Sequence, residues 1–287
     1  MAAVLNSYFL DMHSRYLLDC QLTQLAAMHI GTGVSGADTD SPFICQGETP
    51  FVPGSSLRGV LRTTAERMSR SLGGGPRCCV LFEEAPEALC WAGNADKRRI
   101  FERANAKERS KFLQSQEFYL CPMCRLFGST LMAAQLKVSD AQFSGGKPRL
   151  VRRDGVGIDR DTETARPKIK YDFEVAEPSE GVALTFHMQI ENAGPIEMGV
   201  VHVLLLEMER GFEIGGKKSR GLGRVQLQLD KVSYFDSRRT DERRHTLRQF
   251  LDGGYQDFPP ADFKTWLGHC YSEYLREGVE DAAATIE

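Results

Sequence analysis

The spacing of apolar residues changes period along this chain, and that change constrains the fold more than any other feature. Leu18, Cys20, Leu22, Ala26, Met28 and Ile30 fall on one parity, with Asp19, Gln21, Thr23 and His29 on the other. Such alternation marks a half-buried strand. A loop rich in Gly, Ser and Asp runs from Gly31 to Asp40, and Pro53-Gly54 then breaks the chain. Behind the break, Ser55 or Ser56 is placed to cap a helix whose stripe is Leu57, Val60, Leu61, Ala65 and Met68. Leu136 to Phe143 reads as a further strand, and Leu184, Phe186, Met188 and Ile190 alternate again. Ile196, Val200, Val203, Leu204 and Met208 return to helical spacing and stop at Gly211, before Val225, Leu227 and Leu229 form a last strand. The order β, α, β, then β, α, β predicts an α+β chain with a ferredoxin-like (RRM-like) βαββαβ core.

Two segments do not fit that scaffold. Residues 1–72 supply the first half of the core with its β-to-α loop, 129–144 a core strand, and 181–235 the second half. Between them lie a charged, cysteine-bearing insertion at 73–128 and a second insertion at 145–180. The first is too long for a structureless loop and needs a staple of its own. The second mixes Lys147, Arg149, Arg152, Arg153, Arg160, Arg166, Lys168 and Lys170 with acids and few large apolar residues, and is expected to project as a hairpin or arm. Residues 236–287 read as a helical region with Leu247, Phe250, Leu251, Phe263, Trp266, Leu267, Tyr271 and Leu275 on its buried faces.

Charge and hydropathy exclude some classes. Lys and Arg number 36 against 39 Asp and Glu, a formal net charge of −3, so binding of nucleic acid by bulk positive charge is excluded and any such surface must be a local patch. The longest apolar run, Val200 to Leu206, includes His202 and is closed by Glu207 and Glu209. It falls well short of the ~20 residues that span a bilayer. The N-terminus lacks a basic region and is interrupted by Asp11 and Arg15, unlike a secretory signal. The expectation is a cytoplasmic protein without membrane partners, in a compartment where clustered cysteines hold metal rather than form disulfides.

Cys121-Pro122-Met123-Cys124 is a two-residue-spaced pair, and Cys78, Cys79 and Cys90 lie upstream. Two thiolates on a tight turn and two from a distant one make a tetrahedral site suited to zinc, and the predicted ligands are Cys79, Cys90, Cys121 and Cys124. Spacing does not separate Cys79 from Cys78. A redox pair is the competing interpretation, but the strand and active-site helix that such a pair requires are missing. Four thiolates leave no open position, so the role is structural, and such a site supplies about 10 to 16 kcal/mol of apparent binding energy.

The segment Gly215-Gly216-Lys217-Lys218-Ser219-Arg220-Gly221 contains no acid. Glycines allow backbone N–H groups close to phosphates and the cations supply counter-charge, although a solvated basic turn has the same composition. The first helix adds Arg58 and Arg62 near its positive end, beside Ser55 and Ser56. His29, at the end of the first strand, reads as a structural histidine rather than a general base.

Taken in order, His29-Ile30-Gly31, Thr39-Asp40-Ser41-Pro42, Val52-Pro53-Gly54-Ser55-Ser56-Leu57-Arg58-Gly59, Cys121-Pro122-Met123-Cys124-Arg125-Leu126-Phe127-Gly128 and Lys218-Ser219-Arg220-Gly221-Leu222-Gly223 resemble one family. The chain is similar, from about Tyr16 to Leu229, to RAMP-superfamily backbone subunits of type III CRISPR effector complexes. That resemblance implies a core that binds the guide (crRNA) backbone, in contact with neighbouring copies or paralogues, the large signature subunit and the small subunits. It also implies that the second insertion is a thumb wedged into the guide–target duplex, where Lys168 and Lys170 meet phosphate and Ile158, Ile169, Tyr171 and Phe173 pack or stack. In the family's nuclease members an Asp in the first β-to-α loop supports cleavage of target RNA. By motif position this is Asp40, with Asp38 as rival or helper, and Mg2+ or Mn2+ as the assisting ion. A scaffold without catalysis, and a ribonuclease that processes precursor guide RNA, are the alternatives within the same superfamily.

Overall fold

The computed structural model describes residues 12–36, 38–71, 78–79, 89–115, 117–239, 248 and 250–283. Strand β1 (Ser14–Gln24) buries Tyr16, Leu18, Cys20 and Leu22 and turns Asp19 and Gln21 outward. A short hairpin, β2 (Cys45–Gln46) and β3 (Thr49–Val52), leads into helix α1 (Gly54–Ser71). Three helices follow, α2 (Ala95–Arg103), α3 (Ala106–Gln114) and α4 (Pro122–Phe127), then strands β4 (Leu136–Val138) and β5 (Ala141–Ser144). A long hairpin, β6 (Arg149–Ile158) and β7 (Ala165–Glu177), precedes β8 (Ala183–Glu191) and helix α5 (Pro195–Arg210). Strands β9 (Phe212–Glu213), β10 (Arg224–Asp236) and β11 (Gln256–Asp257), and helix α6 (Pro260–Ala283), complete the chain.

The main sheet runs β11-β10-β1-β8-β5-β3-β2, with β4 also on β8 and β9 on β10, and every pairing is antiparallel. The alternation read from sequence sets which face is covered: Leu184, Phe186, Met188 and Ile190 of β8, and Val225, Leu227 and Leu229 of β10, join the buried side of β1 in one core with α1, α5 and α6. Hairpin β6–β7 forms a separate two-stranded sheet.

Several boundaries differ from the sequence expectation, for reasons that can be named. Strand β1 stops at Gln24, although Met28 and Ile30 are buried as expected. Beyond Gln24 the chain changes partner. Gln24 Nε2 donates to the Ala176 carbonyl at 2.6 Å, and Met28 pairs with Ala176 through both backbone bonds at 2.9 Å. The strand expected at Leu136 to Phe143 is broken into β4 and β5 by Ser139 and Asp140, because the Asp140 carboxylate accepts a 2.7 Å bond from Gly54 N and so caps α1. Ser55 and Ser56 therefore lie inside the first turn and are not its cap. Gly54 is required there, since a Cβ would lie 2.4 Å from the Val138 carbonyl oxygen.

The first insertion has apolar packing of its own besides the expected staple. Trp91, Phe101, Phe112 and Phe118 pack ring against ring at 5.0 to 6.3 Å, and this cluster is continuous with the main core. At the C-terminus, Phe263 and Leu267 are fully buried, with Cys270 and Tyr274 in the same stripe. Helix α6 crosses α5 at Gly199, where a Cβ would meet Cys270 O and Tyr274 Cβ at 2.9 Å. Leu251, expected inside, is 72% exposed in a turn, and Leu247 lies outside the described residues.

Candidate metal centre and nucleic-acid interface

Cys79, Cys90, Cys121 and Cys124 are buried, and their sulfurs all lie within 4.8 Å of one another. The Cys79–Cys124 and Cys79–Cys121 separations are 3.4 and 3.8 Å. A disulfide would need about 2.05 Å, whereas a tetrahedron with ~2.3 Å Zn–S bonds has edges of about 3.8 Å. Cys121 is the N-cap of α4 and Pro122 its first residue, so the tight turn presents both sulfurs of the pair to one point. Cys121 N donates to Cys90 Sγ at 3.3 Å, a bond suited to a thiolate. Hydrogen bonds from Cys121 and Cys124 hold the Cys90 thiol low, while contact with Cys121 drives Cys124 upward. Four buried sulfurs gathered at these separations form a donor set that fits zinc. Cys78 stands apart, its thiol directed at the Cys79 carbonyl and pushed up to about 12 by burial. Geometry thus selects Cys79.

Arg58 and Arg62 dock this unit onto α1 instead of lining an anion site. Arg58 donates to the Phe127 carbonyl, and Arg62 donates to the Gly128 carbonyl at 2.9 Å and to Glu66 at 2.7 Å. Both therefore neutralise the C-terminal end of α4. Arg125 of α4 makes a buried 2.6 Å ion pair with Glu197 of α5.

The Gly31-to-Asp40 loop lies against the root of the long hairpin. Asp172 of β7 accepts bonds from Thr39 Oγ1 and Asp40 N, both at 2.7 Å, and its own N–H donates to Asp40 Oδ2 at 3.0 Å. The Thr39 hydroxyl and Asp40 amide hold the Asp172 carboxyl below the usual range. Glu174, two residues on, accepts from Phe43 N at 2.9 Å and donates through its own N–H to the Ser41 carbonyl. Asp38 is exposed and contributes its carbonyl, not its carboxylate, to Arg152. His29 is buried: Nδ1 bonds the Glu174 carbonyl at 2.6 Å, which leaves Nε2 to accept from the Ser41 hydroxyl at 3.1 Å, and burial lowers its pKa. Asp172 and Glu174 were missed by sequence reasoning. Their signal was an acid every second residue in an otherwise basic strand.

The glycine-rich segment does something different from cradling phosphate with its amides. Gly216 N donates to His29 O, Gly221 N to Lys218 O and Gly223 N to Ala27 O. Gly215 has φ +80°, and a Cβ there would sit 2.3 Å from His29 O, so glycine is needed for close packing on the β1 exit. Lys217, left-handed at φ 59°, holds its Nζ 4.3 Å from the Phe173 ring centre, and Arg220 donates to the Tyr171 hydroxyl. Lys170 pairs with Asp154 across the hairpin, Ser219 is exposed, and the side chain of Lys168 lies outside the described residues.

Of the predicted binding residues, Ser55, Ser56, Gly215 and Lys218 come together. They line a groove of about 1170 Å³ between α1, α5, β9 and α6, which Arg67, Arg210 and Arg224 also face. Lys217 and Arg220 sit at the hairpin root, and Arg58 and Arg62 at the zinc-type unit. Arg210 was not singled out from sequence, because its place in the last turn of α5 reads as an ordinary helix-end cation.

A helix-and-sheet protein with a four-cysteine staple, a projecting hairpin and a partly basic groove is thus defined by geometry. Residues 22–226 match the family model of the RAMP superfamily, well over half of the chain, and the protein belongs to that superfamily. Membership points to a CRISPR-associated RNA-binding protein. No curated protein matches the chain. Among the described residues, no helix is long and apolar enough to cross a membrane.

Proposed function

We propose that this chain is a guide-RNA-binding backbone subunit of a type III CRISPR effector complex, built on a ferredoxin-like core with a zinc-stapled insertion and β6–β7 as thumb. The strand order β10-β1-β8-β5, antiparallel throughout with α1 and α5 as the crossover helices, supports that core. The observation that carries the reading is the shared footing of the glycine-rich segment and the hairpin. Lys217 and Arg220 grip Tyr171 and Phe173 while Lys218, in the same turn, opens onto the groove. A strand of guide RNA held by that turn would run directly beside the thumb.

Cleavage of target RNA belongs to the same proposal. Asp40 is exposed at the thumb root and shares a hydrogen-bonded unit with Asp172. Two hard carboxylates with lone pairs to spare suit Mg2+ or Mn2+, which binds through one or two carboxylates plus substrate phosphate. Such an ion would stabilise charge on the phosphate as the 2′-oxygen attacks and the 5′-oxygen leaves. The chain's part is to hold the Asp40 carboxylate fixed beside the displaced nucleotide. One observation favours a scaffold instead: Asp40 Oδ2 is already engaged by Asp172 N, which is what a purely structural loop anchor would do.

Purification with its neighbouring subunits and sequencing of co-purified RNA tests assembly on a guide. In that complex, Asp40→Ala is expected to abolish metal-dependent cuts at regular intervals while guide binding persists. Unchanged cutting by Asp40→Ala and by Asp38→Ala would assign nuclease activity elsewhere and leave the scaffold reading.

A further inference from the structure

Helix α6 lies wholly outside the residues matched to the superfamily, yet it forms one wall of the groove through Tyr271 and Tyr274. The other wall is α1, which lines the groove from Ser55 to Ser71. Those sixteen helical steps extend about 24 Å at 1.5 Å per residue. The groove's volume exceeds the roughly 300 to 1,000 Å³ of pockets that enclose a small molecule, so its size suits an extended ligand. Among the residues that line it, Arg67, Arg210 and Lys218 have no carboxylate partner within the described residues, whereas Arg224 is neutralised by Glu213 at 3.0 Å. Glu207 is the remaining acid on these walls, so the surplus is positive.

Tyr271 supplies the second kind of chemistry. It is half-buried, its ring lies 5.7 Å from that of His202 and 6.3 Å from that of Tyr274, and its hydroxyl makes no hydrogen bond among the described residues. Tyr274, in contrast, is buried and spends its hydroxyl on Ser69. The ring of Tyr271 is therefore braced by two neighbouring rings and lines the groove. A cationic furrow bordered by a braced aromatic ring is the arrangement that binds single-stranded nucleic acid, cations tracking phosphates and the ring stacking on a base.

We infer that Tyr271 is a base-stacking station, and that the C-terminal helix extends the groove into a binding site for several nucleotides of single-stranded RNA. This rests on the RNA-binding reading above and adds a contact from a segment beyond the superfamily match. Stacking accepts any base, so the site favours RNA with bases over a bare ribose-phosphate chain without choosing a sequence.

The test uses the full-length protein with two fluorescein-labelled probes, a uridine 12-mer and an abasic ribose-phosphate 12-mer. Wild type is expected to prefer the uridine probe. Tyr271→Leu, which keeps apolar volume and helix propensity, is expected to lose roughly 5- to 150-fold in affinity for that probe and little for the abasic one. Tyr271→Phe is expected to restore the preference, which a mere folding role of the hydroxyl would not explain, and unchanged melting of both variants excludes misfolding. Lys218→Ala should weaken both probes equally and reduce the salt slope by about 0.7. A Tyr271→Leu variant that keeps the wild-type preference while Lys218→Ala weakens both overturns the stacking station and leaves the RNA reading standing. If neither probe binds and Lys218→Ala changes nothing, both fall. Loss of self-association in Tyr271→Leu without change in probe binding would instead assign the groove to a second copy of the chain.

Discussion

The two insertions are attached to the core by opposite means. The cysteine-bearing one is continuous with the main apolar core through Leu120, Met123, Leu126 and Phe127, and is closed by four thiols and a buried ion pair. The long hairpin reaches the main core only at its base, through Ala176, and otherwise rests on a satellite cluster of Ala27, Phe173, Val175 and Leu222 and on polar contacts near the surface. Apolar continuity ties a segment to global unfolding, whereas a small cluster with exposed hydrogen bonds can open on its own. The first insertion should therefore behave as part of the body, and the hairpin as a member that can be displaced without unfolding it.

The largest expected effect breaks the first half of that contrast. Cys124→Ala removes a ligand from a site worth about 10 to 16 kcal/mol of apparent binding energy. One zinc per chain should fall to none by elemental analysis, and amides from Cys90 to Phe127 should lose exchange protection along with α1 and α5. Cys78→Ala should retain full zinc, because its sulfur is not one of the four that cluster and is directed at the Cys79 carbonyl. If Cys124→Ala exposes the insertion alone and leaves α1 protected, the claimed continuity is wrong.

Next in size is the Arg125–Glu197 pair. Glu197 is buried and Arg125 nearly so, and Glu197 also accepts from Gly194 N at the start of α5. Burial opposes the Arg125 charge, but the Glu197 carboxylate more than compensates and raises its pKa. Arg125→Met would leave Glu197 uncompensated at a cost of about 3 to 5 kcal/mol, read as a lowered denaturation midpoint. The double variant with Glu197→Gln should recover much of that loss.

These two units also show what sequence could and could not disclose. Period-two and helical patterns located β1, β8, β10, α1, α5 and α6, because burial of one face imposes that period, whereas the short elements β3, α2, α3 and α4 also reach the main core but are too brief to display one. The cysteine set was legible from spacing, though Cys78 and Cys79 are adjacent and only the folded placement of their sulfurs, Cys79 in the cluster and Cys78 on the Cys79 carbonyl, separates them. The split between β4 and β5 was not legible, since the Asp140 carboxylate that causes it serves a helix 86 residues earlier in the chain. The basic residues fared worst. Arg58, Arg62, Lys217 and Lys218 look alike in a sequence, yet two cap a helix end, one packs on aromatic rings and one faces the groove. Charge identifies a candidate for anion binding, and only the local partner decides whether it is free.

The hairpin half of the contrast is sharpened by Asp172→Ala. Removing its carboxylate frees Thr39 Oγ1 and Asp40 N, so faster exchange is expected at residues 38–41 and along β7, with zinc content and the global midpoint little changed. The wild-type carboxyl is held below its unfolded value, so its contribution is complete above about pH 4 and disappears as pH falls through the folded value. Wild type should thus come to resemble Asp172→Ala in strong acid. Equal loss of protection in α4 would mean that hairpin and body are one cooperative unit.

The smallest effect separates the two regions near neutral pH. Burial lowers the pKa of His29, whose neutral ring donates through Nδ1 to Glu174 O and accepts from the Ser41 hydroxyl at Nε2. A histidine depressed in the folded state binds protons more readily when unfolded, so its stabilising effect is present above about pH 6.5 and is lost as pH falls through the folded value. Protonation would also turn Nε2 into a donor and reverse the bond to Ser41. Acidification from pH 7.5 to 6 is therefore expected to loosen residues 38–43 and β7 before the insertion, and His29→Gln should remove that pH dependence while lowering protection at every pH. Hydrogen exchange of wild type and variant across this window measures it. A hairpin root whose protection is independent of pH in wild type would show that the Ser41–His29–Glu174 chain does not hold it, and that the apolar cluster of Ala27, Phe173, Val175 and Leu222 suffices.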